Sequence, residues 1–199
     1  NIKFYDCYGT MELGHPYGEC VQREGMHCWE DLYITEIIDP DTGRLLGPGE
    51  LGEMVITPLW REAMPLIRYR TGDIAQLLEY KLCECGRTLP KISRIKGRTA
   101  HMVRVGEAKI FPVDVEDILY GAPEFSGEYQ IILSRPGVQD TLQVKAEYNP
   151  GVEDIALLQR KLEAQLEKAM GARSQVELVP QGQLPRGVTA KAQRIVKGY

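Results

Sequence analysis

The stretch Tyr69-Arg70-Thr71-Gly72-Asp73 places a carboxylate directly after a glycine turn. An ionised aspartate is an acceptor with two oxygens, so Asp73 could accept hydrogen bonds from both hydroxyls of a ribose. The alternative is a turn in which Asp73 caps its own backbone, and this stretch alone favours that alternative. Residues 65–70 and 74–79 have the composition of strands, which predicts two strands interrupted at Thr71-Gly72-Asp73.

Outward from this stretch, the residues up to 96 are turn-rich and strand-like. Leu32–Ile38 is an apolar run with β-branched residues, and residues 53–57 resume a strand pattern. Aspartate, glycine and proline fill the segment between these two runs. This arrangement predicts a hairpin joined by a long polar loop.

Residues 97–199 combine strand and helix patterns. Apolar residues recur every three or four positions from about 153 to 170, just before Gly171, which predicts an amphipathic helix. Pro112 is suited to the first turn of a shorter helix, and residues 130–134, 142–148 and 175–179 resemble strands. We therefore predict an α+β fold with a β-rich domain over 1–96 and a compact α+β domain over 97–199.

The composition excludes several classes of protein. Hydrophobic residues make up 43% of the 199 residues and charged residues 26%, which is typical of a folded globular protein. The 24 basic and 28 acidic residues give a net charge of −4, which argues against nucleic-acid binding. No apolar run approaches the ~20 residues of a membrane span, so we expect no membrane partner. Five cysteines with no visible targeting segment indicate a reducing compartment, and we predict the cytoplasm.

Three further motifs contain side chains suited to a nucleotide. Residues 8–12, Tyr-Gly-Thr-Met-Glu, offer an aromatic ring for a base and a carboxylate for Mg²⁺. Arg98 offers a rigid fork of donors for ribose or phosphate oxygens, and Lys191 follows small residues from which it could reach a phosphate. The alternatives are a buried tyrosine with a surface glutamate, a solvated linker arginine and a flexible basic terminus.

Residues 83–86, Cys-Glu-Cys-Gly, place two thiols one residue apart on a glycine-containing turn. Both thiolates could bind one Zn²⁺, which would need two more ligands in a closed structural site. The candidate ligands are Cys83 and Cys85 with Cys20 and His27, and Cys28 is held in reserve. The alternative is a set of reduced cysteines without a metal, and the spacing leaves both interpretations open.

Together, the order and spacing of these motifs resemble the second half of the adenylate-forming superfamily, which includes acyl-CoA synthetases, luciferases and adenylation domains. Residues 62–71, Glu-Ala-Met-Pro-Leu-Ile-Arg-Tyr-Arg-Thr, narrow the resemblance to the phenylacetate-CoA ligase branch, as do Trp29-Glu30-Asp31 and residues 36–40, Glu-Ile-Ile-Asp-Pro. That branch activates aryl and arylacetic acids. The resemblance covers essentially the whole chain and implies that a mobile C-terminal domain follows the β-rich end of a large AMP-binding domain.

The resemblance implies a two-step reaction with a role for each matching residue. ATP and a carboxylic acid form an acyl-adenylate and pyrophosphate, and CoA then displaces AMP. Tyr8 would flank the adenine, Glu12 would bind Mg²⁺, and Asp73 and Arg98 would hold the ribose. Lys191 would reach the α-phosphate during adenylation, before the domain rotates about a hinge just after Arg98. Some relatives in this branch also carry a Cys/His set, which implies a structural zinc.

Some positions depart from the family pattern: Met11, Ala100, His101, Glu107 and Ala190. Met11 stands where the family has Thr or Ser, and Thr10 could substitute for it only if the loop shifts. Gly106 lies one place away from the glycine that lines the thiol tunnel in the family. These departures weaken the prediction that this chain is catalytically competent.

The phosphate loop and most of the acid-binding pocket lie upstream in this family. We therefore expect the chain to be the C-terminal part of an aryl-acid:CoA ligase, inactive alone and dependent on the N-terminal half of the adenylation domain. The departures motivate an alternative, a noncatalytic stand-alone descendant that acts as a binding or interaction module. A third hypothesis, a small zinc-stabilised adaptor, rests only on the cysteines.

Overall fold

The structure is a computed structural model that describes residues 2–186 and 194–199. The chain divides into two compact units, Asn1–Ala100 and His101–Tyr199. The α+β prediction is confirmed. Over the described residues the elements are β1 Cys7–Thr10, β2 Gly14–Glu19, β3 Met26–Cys28, β4 Tyr33–Ile38, β5 Leu51–Pro58, β6 Tyr69–Gln76, β7 Lys91–Ile92, β8 Gly97–Arg98, β9 Val103–Val105, β10 Ala108–Ile110, α1 Pro112–Leu119, β11 Phe125–Leu133, β12 Leu142–Tyr148, α2 Ile155–Met170, β13 Ser174–Pro180 and β14 Ile195–Lys197.

The first unit contains two four-stranded sheets with the strand orders β1-β2-β3-β7 and β4-β5-β6-β8. Strands β4 and β5 pair antiparallel in the predicted hairpin. Buried side chains from both sheets, among them Tyr17, Ile37 and Met54, form one hydrophobic cluster. The two sheets therefore share a core, which holds β1 and β6 in fixed positions.

The predicted interruption at Thr71-Gly72-Asp73 is wrong. Strand β6 runs continuously from Tyr69 to Gln76 through these three residues and pairs with β5 on one side and β8 on the other. The pairing of β5 with β6 continues past Gly72, whose φ is 74°, because its register shifts between Glu53 and Val55. Sequence pattern alone does not show this, since a glycine at positive φ marks either a turn or a bulge.

The second unit packs two helices against the four-stranded sheet β13-β12-β11-β14, beside the small hairpin β9-β10. Leu158, Leu162 and Leu166 form the buried face of α2, as the spacing predicts. The Asp154 carboxylate caps this helix by accepting from the Leu157 N–H at 2.8 Å, and Gly171 ends it in the left-handed conformation. No helix among the residues that the structure describes is long and apolar enough to cross a membrane.

Glu147 is a wholly buried carboxylate in β12. It accepts hydrogen bonds from the Leu184 N–H at 2.6 Å, from the Ser126 hydroxyl at 3.3 Å and from the Gly182 N–H. Burial alone would raise the pKa of Glu147, but these donors outweigh it and the net pKa lies below its ordinary value. Glu147 therefore fastens residues 182–184 to the sheet in its ionised form.

We expect Glu147→Gln to destabilise the chain at neutral pH and much less in acid. Because the folded pKa lies below the unfolded one, the wild-type carboxylate contributes stability above about pH 4.3 and loses it as the pH falls through the folded pKa. Urea unfolding between pH 3 and pH 7 measures this difference. Glu177→Gln serves as the control, because Glu177 in β13 is an exposed carboxylate that pairs with Lys145. A destabilisation by Glu147→Gln that is equal at every pH would contradict the expectation.

Candidate functional site

Asp73 lies at the meeting point of three strands in the first unit. Its carboxylate accepts from the Tyr8 hydroxyl of β1 at 2.7 Å and from Nε of Arg98 in β8 at 2.9 Å. Nη2 of Arg98 also donates to the Thr71 carbonyl at 3.0 Å, so the guanidinium is held in one orientation. An ionised carboxylate has about four lone-pair sites. Tyr8 and Arg98 take one site on each oxygen, which leaves acceptor capacity on both oxygens for a diol.

Tyr8 is buried, with its ring stacked on Tyr17 at a centroid distance of 5.6 Å. Burial, followed by the hydrogen bond to Asp73, raises the pKa of Tyr8, so the phenol remains a donor at neutral pH. Tyr8 therefore orients the Asp73 carboxylate. Its role beside an adenine stays a prediction.

Glu12 lies in the turn between β1 and β2. Its own backbone N–H, then the Thr10 hydroxyl and the charge of Arg98, lower the pKa of Glu12, so this carboxyl is ionised at neutral pH. The Thr10 side chain also accepts from the Leu13 N–H at 3.2 Å, while the Met11 side chain is 94% exposed. The polar group of this turn is thus supplied by Thr10, one residue before the position at which the family has Thr or Ser.

The remaining predicted residues lie elsewhere. Gly106 forms the turn between β9 and β10 in the second unit with φ 56°, and its N–H donates to the Gln139 carbonyl at 2.9 Å. Lys191 lies outside the described residues. Gly97 and Arg98 form β8, paired with β6, and so belong to the first unit. The domain boundary between 96 and 97 stays a prediction.

Sequence reasoning missed Glu53, a buried carboxylate in β5. It accepts from the Gly72 N–H at 3.1 Å and from the Arg70 guanidinium, with Nε of Arg70 at 3.0 Å. Glu53 therefore binds the backbone N–H of Gly72 and the side chain of Arg70, on either side of Thr71 and just before Asp73. Its sequence signal was weak, since a glutamate within a strand-like run ordinarily faces solvent.

Three thiols and one imidazole converge at a second place in the first unit. The ligand atoms of Cys20, His27, Cys83 and Cys85 all lie within 4.8 Å of one another. Sγ of Cys20 and Sγ of Cys83 are 3.7 Å apart, and Sγ of Cys85 lies 3.5 Å from Nε2 of His27. In tetrahedral zinc coordination the sulfur–sulfur edge is about 3.8 Å and the sulfur–nitrogen edge about 3.5 Å. The donor set therefore fits a closed four-ligand zinc site.

Two neighbouring groups affect how readily these side chains could bind a metal. Nδ1 of His27 lies 3.4 Å from the Leu89 carbonyl, and a hydrogen bond there leaves the Nε2 lone pair directed at the thiols. The backbone N–H and then the side chain of Arg87 lower the pKa of Cys85 to about 6. Cys28 does not belong to the group: it is buried in the core, where desolvation raises its pKa to about 12.

Comparisons with known proteins show which family this chain resembles. The family model of the AMP-binding enzyme C-terminal domain matches residues 107–198. The chain is 35% identical to the phenylacetate-coenzyme A ligase of Thermus thermophilus, over 98% of this chain and 48% of the relative. It is 34% identical to that of Aromatoleum evansii, over 98% of this chain and 46% of the relative.

A solved structure is also similar to this chain. The chain resembles 2-hydroxyisobutyryl-CoA ligase in its postadenylation state in complex with R3-HIB-AMP, with a TM-score of 0.84 and 27% identity over 97% of this chain and 42% of that chain. The chain spans about half the length of the curated relatives it matches. It belongs to the phenylacetate-CoA ligase branch of the adenylate-forming family and corresponds to the C-terminal part of those enzymes.

Proposed function

We propose that this chain supplies the ribose-binding strands and the C-terminal domain of an ATP-dependent ligase that joins aryl or arylacetic acids to CoA. The observation that carries the proposal is the convergence of Asp73 with Tyr8 and Arg98, beside the ionised Glu12. These four residues come from three separate segments of the chain. The acid class is taken from the phenylacetate-coenzyme A ligases that the chain resembles.

In the first step, a carboxylate oxygen of the acid attacks the α-phosphorus of ATP and pyrophosphate leaves, which gives an acyl-adenylate. Asp73 would accept hydrogen bonds from the ribose hydroxyls, and Arg98 would donate to the ribose oxygens. Glu12 offers the hard oxygen ligand that Mg²⁺ prefers, and Mg²⁺ would neutralise phosphate charge. Lys191 would place its ammonium group on the α-phosphate as charge develops there.

In the second step, the CoA thiol, as its thiolate, attacks the acyl carbonyl carbon and AMP leaves with the bonding electrons. We propose that the C-terminal domain rotates between the two steps about a hinge just after Arg98, withdraws Lys191 and brings the Gly106 turn toward the thiol. A glycine suits this position because it leaves space for a narrow substrate chain. A Cβ atom added at Gly106 would meet no atom within 4 Å.

We also propose that Cys20, His27, Cys83 and Cys85 hold a structural zinc ion. The edge lengths of 3.7 Å and 3.5 Å and the second hydrogen bond of His27 support this assignment. With four protein ligands the site would be closed, so zinc would stabilise the first unit and take no part in catalysis. Metal analysis of the purified protein is expected to give about one zinc per chain.

The N-terminal half of the adenylation domain is the partner that this function requires, since the chain spans only about half of the relatives. That half would supply the phosphate loop and the acid-binding pocket. We propose a cytoplasmic location, because none of the five cysteines forms a disulfide and a reducing compartment keeps cysteines in that state.

The proposal is tested by ATP–pyrophosphate exchange with the full-length gene product. We expect exchange that depends on an added aryl or arylacetic acid and is absent without one. Calorimetric titration with AMP accompanies the assay. A full-length protein that shows no acid-dependent exchange and binds no AMP would instead be the noncatalytic descendant that Met11, Ala100 and Glu107 suggest.

A further inference from the structure

Glu53 is a buried acid that the proposed chemistry does not use. Glu53 is 3% exposed, and each of its two carboxylate oxygens accepts a hydrogen bond. Oε1 accepts from the Gly72 N–H at 3.1 Å, and Oε2 accepts from Nε of Arg70 at 3.0 Å. Arg70 also donates to the Pro40 carbonyl at 3.0 Å, which ties the guanidinium to the loop after β4.

These bonds hold the backbone where β6 departs from regular pairing. Gly72 has φ 74°, a left-handed conformation, and the β5–β6 register shifts beside it. The Thr71 hydroxyl donates to the Met54 carbonyl at 2.9 Å and accepts from the Asp73 N–H at 3.0 Å. Glu53 and Thr71 thus clamp the two peptide groups that set the direction in which Asp73 leaves the strand.

We infer that Glu53 is a positioning residue for nucleotide binding: by holding the Gly72 N–H, it aims the Asp73 carboxylate at the ribose hydroxyls. The inference rests on the proposed role of Asp73. Glu53 acts through the backbone and touches no substrate. Arg70 holds the Glu53 carboxylate, and Glu53 holds the Gly72 N–H. The conformation of Gly72 then sets the direction of the Asp73 carboxylate.

The chemistry requires a carboxylate at this position. Both oxygens of Glu53 face donors, and a glutamine would turn its NH₂ group toward either the Gly72 N–H or the Arg70 guanidinium. One of the two hydrogen bonds must then be lost although the shape of the side chain is conserved. Arg70 remains half exposed, so water can solvate it in the variant.

The test compares AMP with 2′,3′-dideoxy-AMP, which lacks both ribose hydroxyls, by calorimetry on the full-length protein. We expect Glu53→Gln to raise the Kd for AMP about tenfold and to leave the Kd for dideoxy-AMP nearly unchanged, because only AMP uses the aimed carboxylate. Glu36→Gln is the matched control, since Glu36 pairs with Arg68 at 3.0 Å on neighbouring β4. The ratio of the Kd for dideoxy-AMP to the Kd for AMP should be the same in Glu36→Gln as in the wild type.

If Glu53 had a purely structural role, Glu53→Gln would weaken the binding of both nucleotides by the same factor. That result would overturn the inference, as would an unchanged Kd for AMP. Should Glu53→Gln fail to fold, Glu53→Asp keeps the charge but shortens the side chain by one methylene. The ratio of the Kd for dideoxy-AMP to the Kd for AMP should then fall several-fold in Glu53→Asp. An unchanged ratio overturns the inference. Asp73→Asn separates the two proposals. If Asp73→Asn leaves this Kd ratio unchanged, the proposed ribose role of Asp73 is wrong. If Asp73→Asn lowers the ratio but the Glu53 variants leave it unchanged, only the positioning role of Glu53 is wrong.

Discussion

Replacing Lys191 by alanine in the full-length ligase is expected to slow adenylation by about 10²–10³-fold, the usual effect of removing one preorganised charge or donor from a developing anion. Thioester formation from a presynthesised acyl-adenylate and CoA should change by less than about threefold. The reason is that Lys191 is proposed to meet the α-phosphate only in the first step. ATP–pyrophosphate exchange measures that step, and release of AMP from the adenylate in the presence of CoA measures the second.

Lys197→Ala is the matched control for Lys191→Ala. Lys197 lies six residues later in β14, where its ammonium group is 5.8 Å from the centre of the Tyr199 ring. It offers the same charge near the same end of the chain, and we expect both half-reactions to keep their rates. An equal loss of both half-reactions in Lys191→Ala would show that Lys191 does not have the proposed role.

Removing the proposed zinc is expected to unfold or strongly destabilise the first unit. Structural zinc contributes folding free energy directly, because its site does not exist in the unfolded chain. We expect Cys83→Ser to release the metal and to lower the melting temperature of the first unit by more than about 10 °C. A chelator should do the same to the wild type, and added Zn²⁺ should reverse the chelator but not the substitution.

Cys7→Ser controls for the loss of a thiol. Cys7 is exposed in β1 and does not belong to the Cys/His group, so zinc content and melting temperature should stay at wild-type values. The site would be excluded if the purified wild type held no zinc and its melting temperature did not respond to added Zn²⁺. Reduced, metal-free thiols would then be the correct interpretation of the cluster.

Local patterns predict the elements whose signals lie within one segment of the chain. Helix α2 follows from leucines at positions 158, 162 and 166 with Asp154 and Gly171 at its ends, because each of these signals acts within one helix. The β4–β5 hairpin follows in the same way from two strand-like runs and a polar loop. The predicted interruption of β6 is wrong, because whether Gly72 lies in a turn or in a bulge depends on the pairing with β5, which local sequence does not show.

The amino-acid sequence by itself determined the α+β class, the family and the residue types available for nucleotide and metal chemistry, since periodicity and motif order are local properties of the chain. Only the tertiary structure decided that Tyr8 donates to Asp73 across 65 positions and that His27 meets Cys85 across 58. It also decided that Glu53 holds Gly72. Such contacts depend on strand register, and a shift of one residue would turn Tyr8, His27, Glu53 or Asp73 to the other face of its sheet.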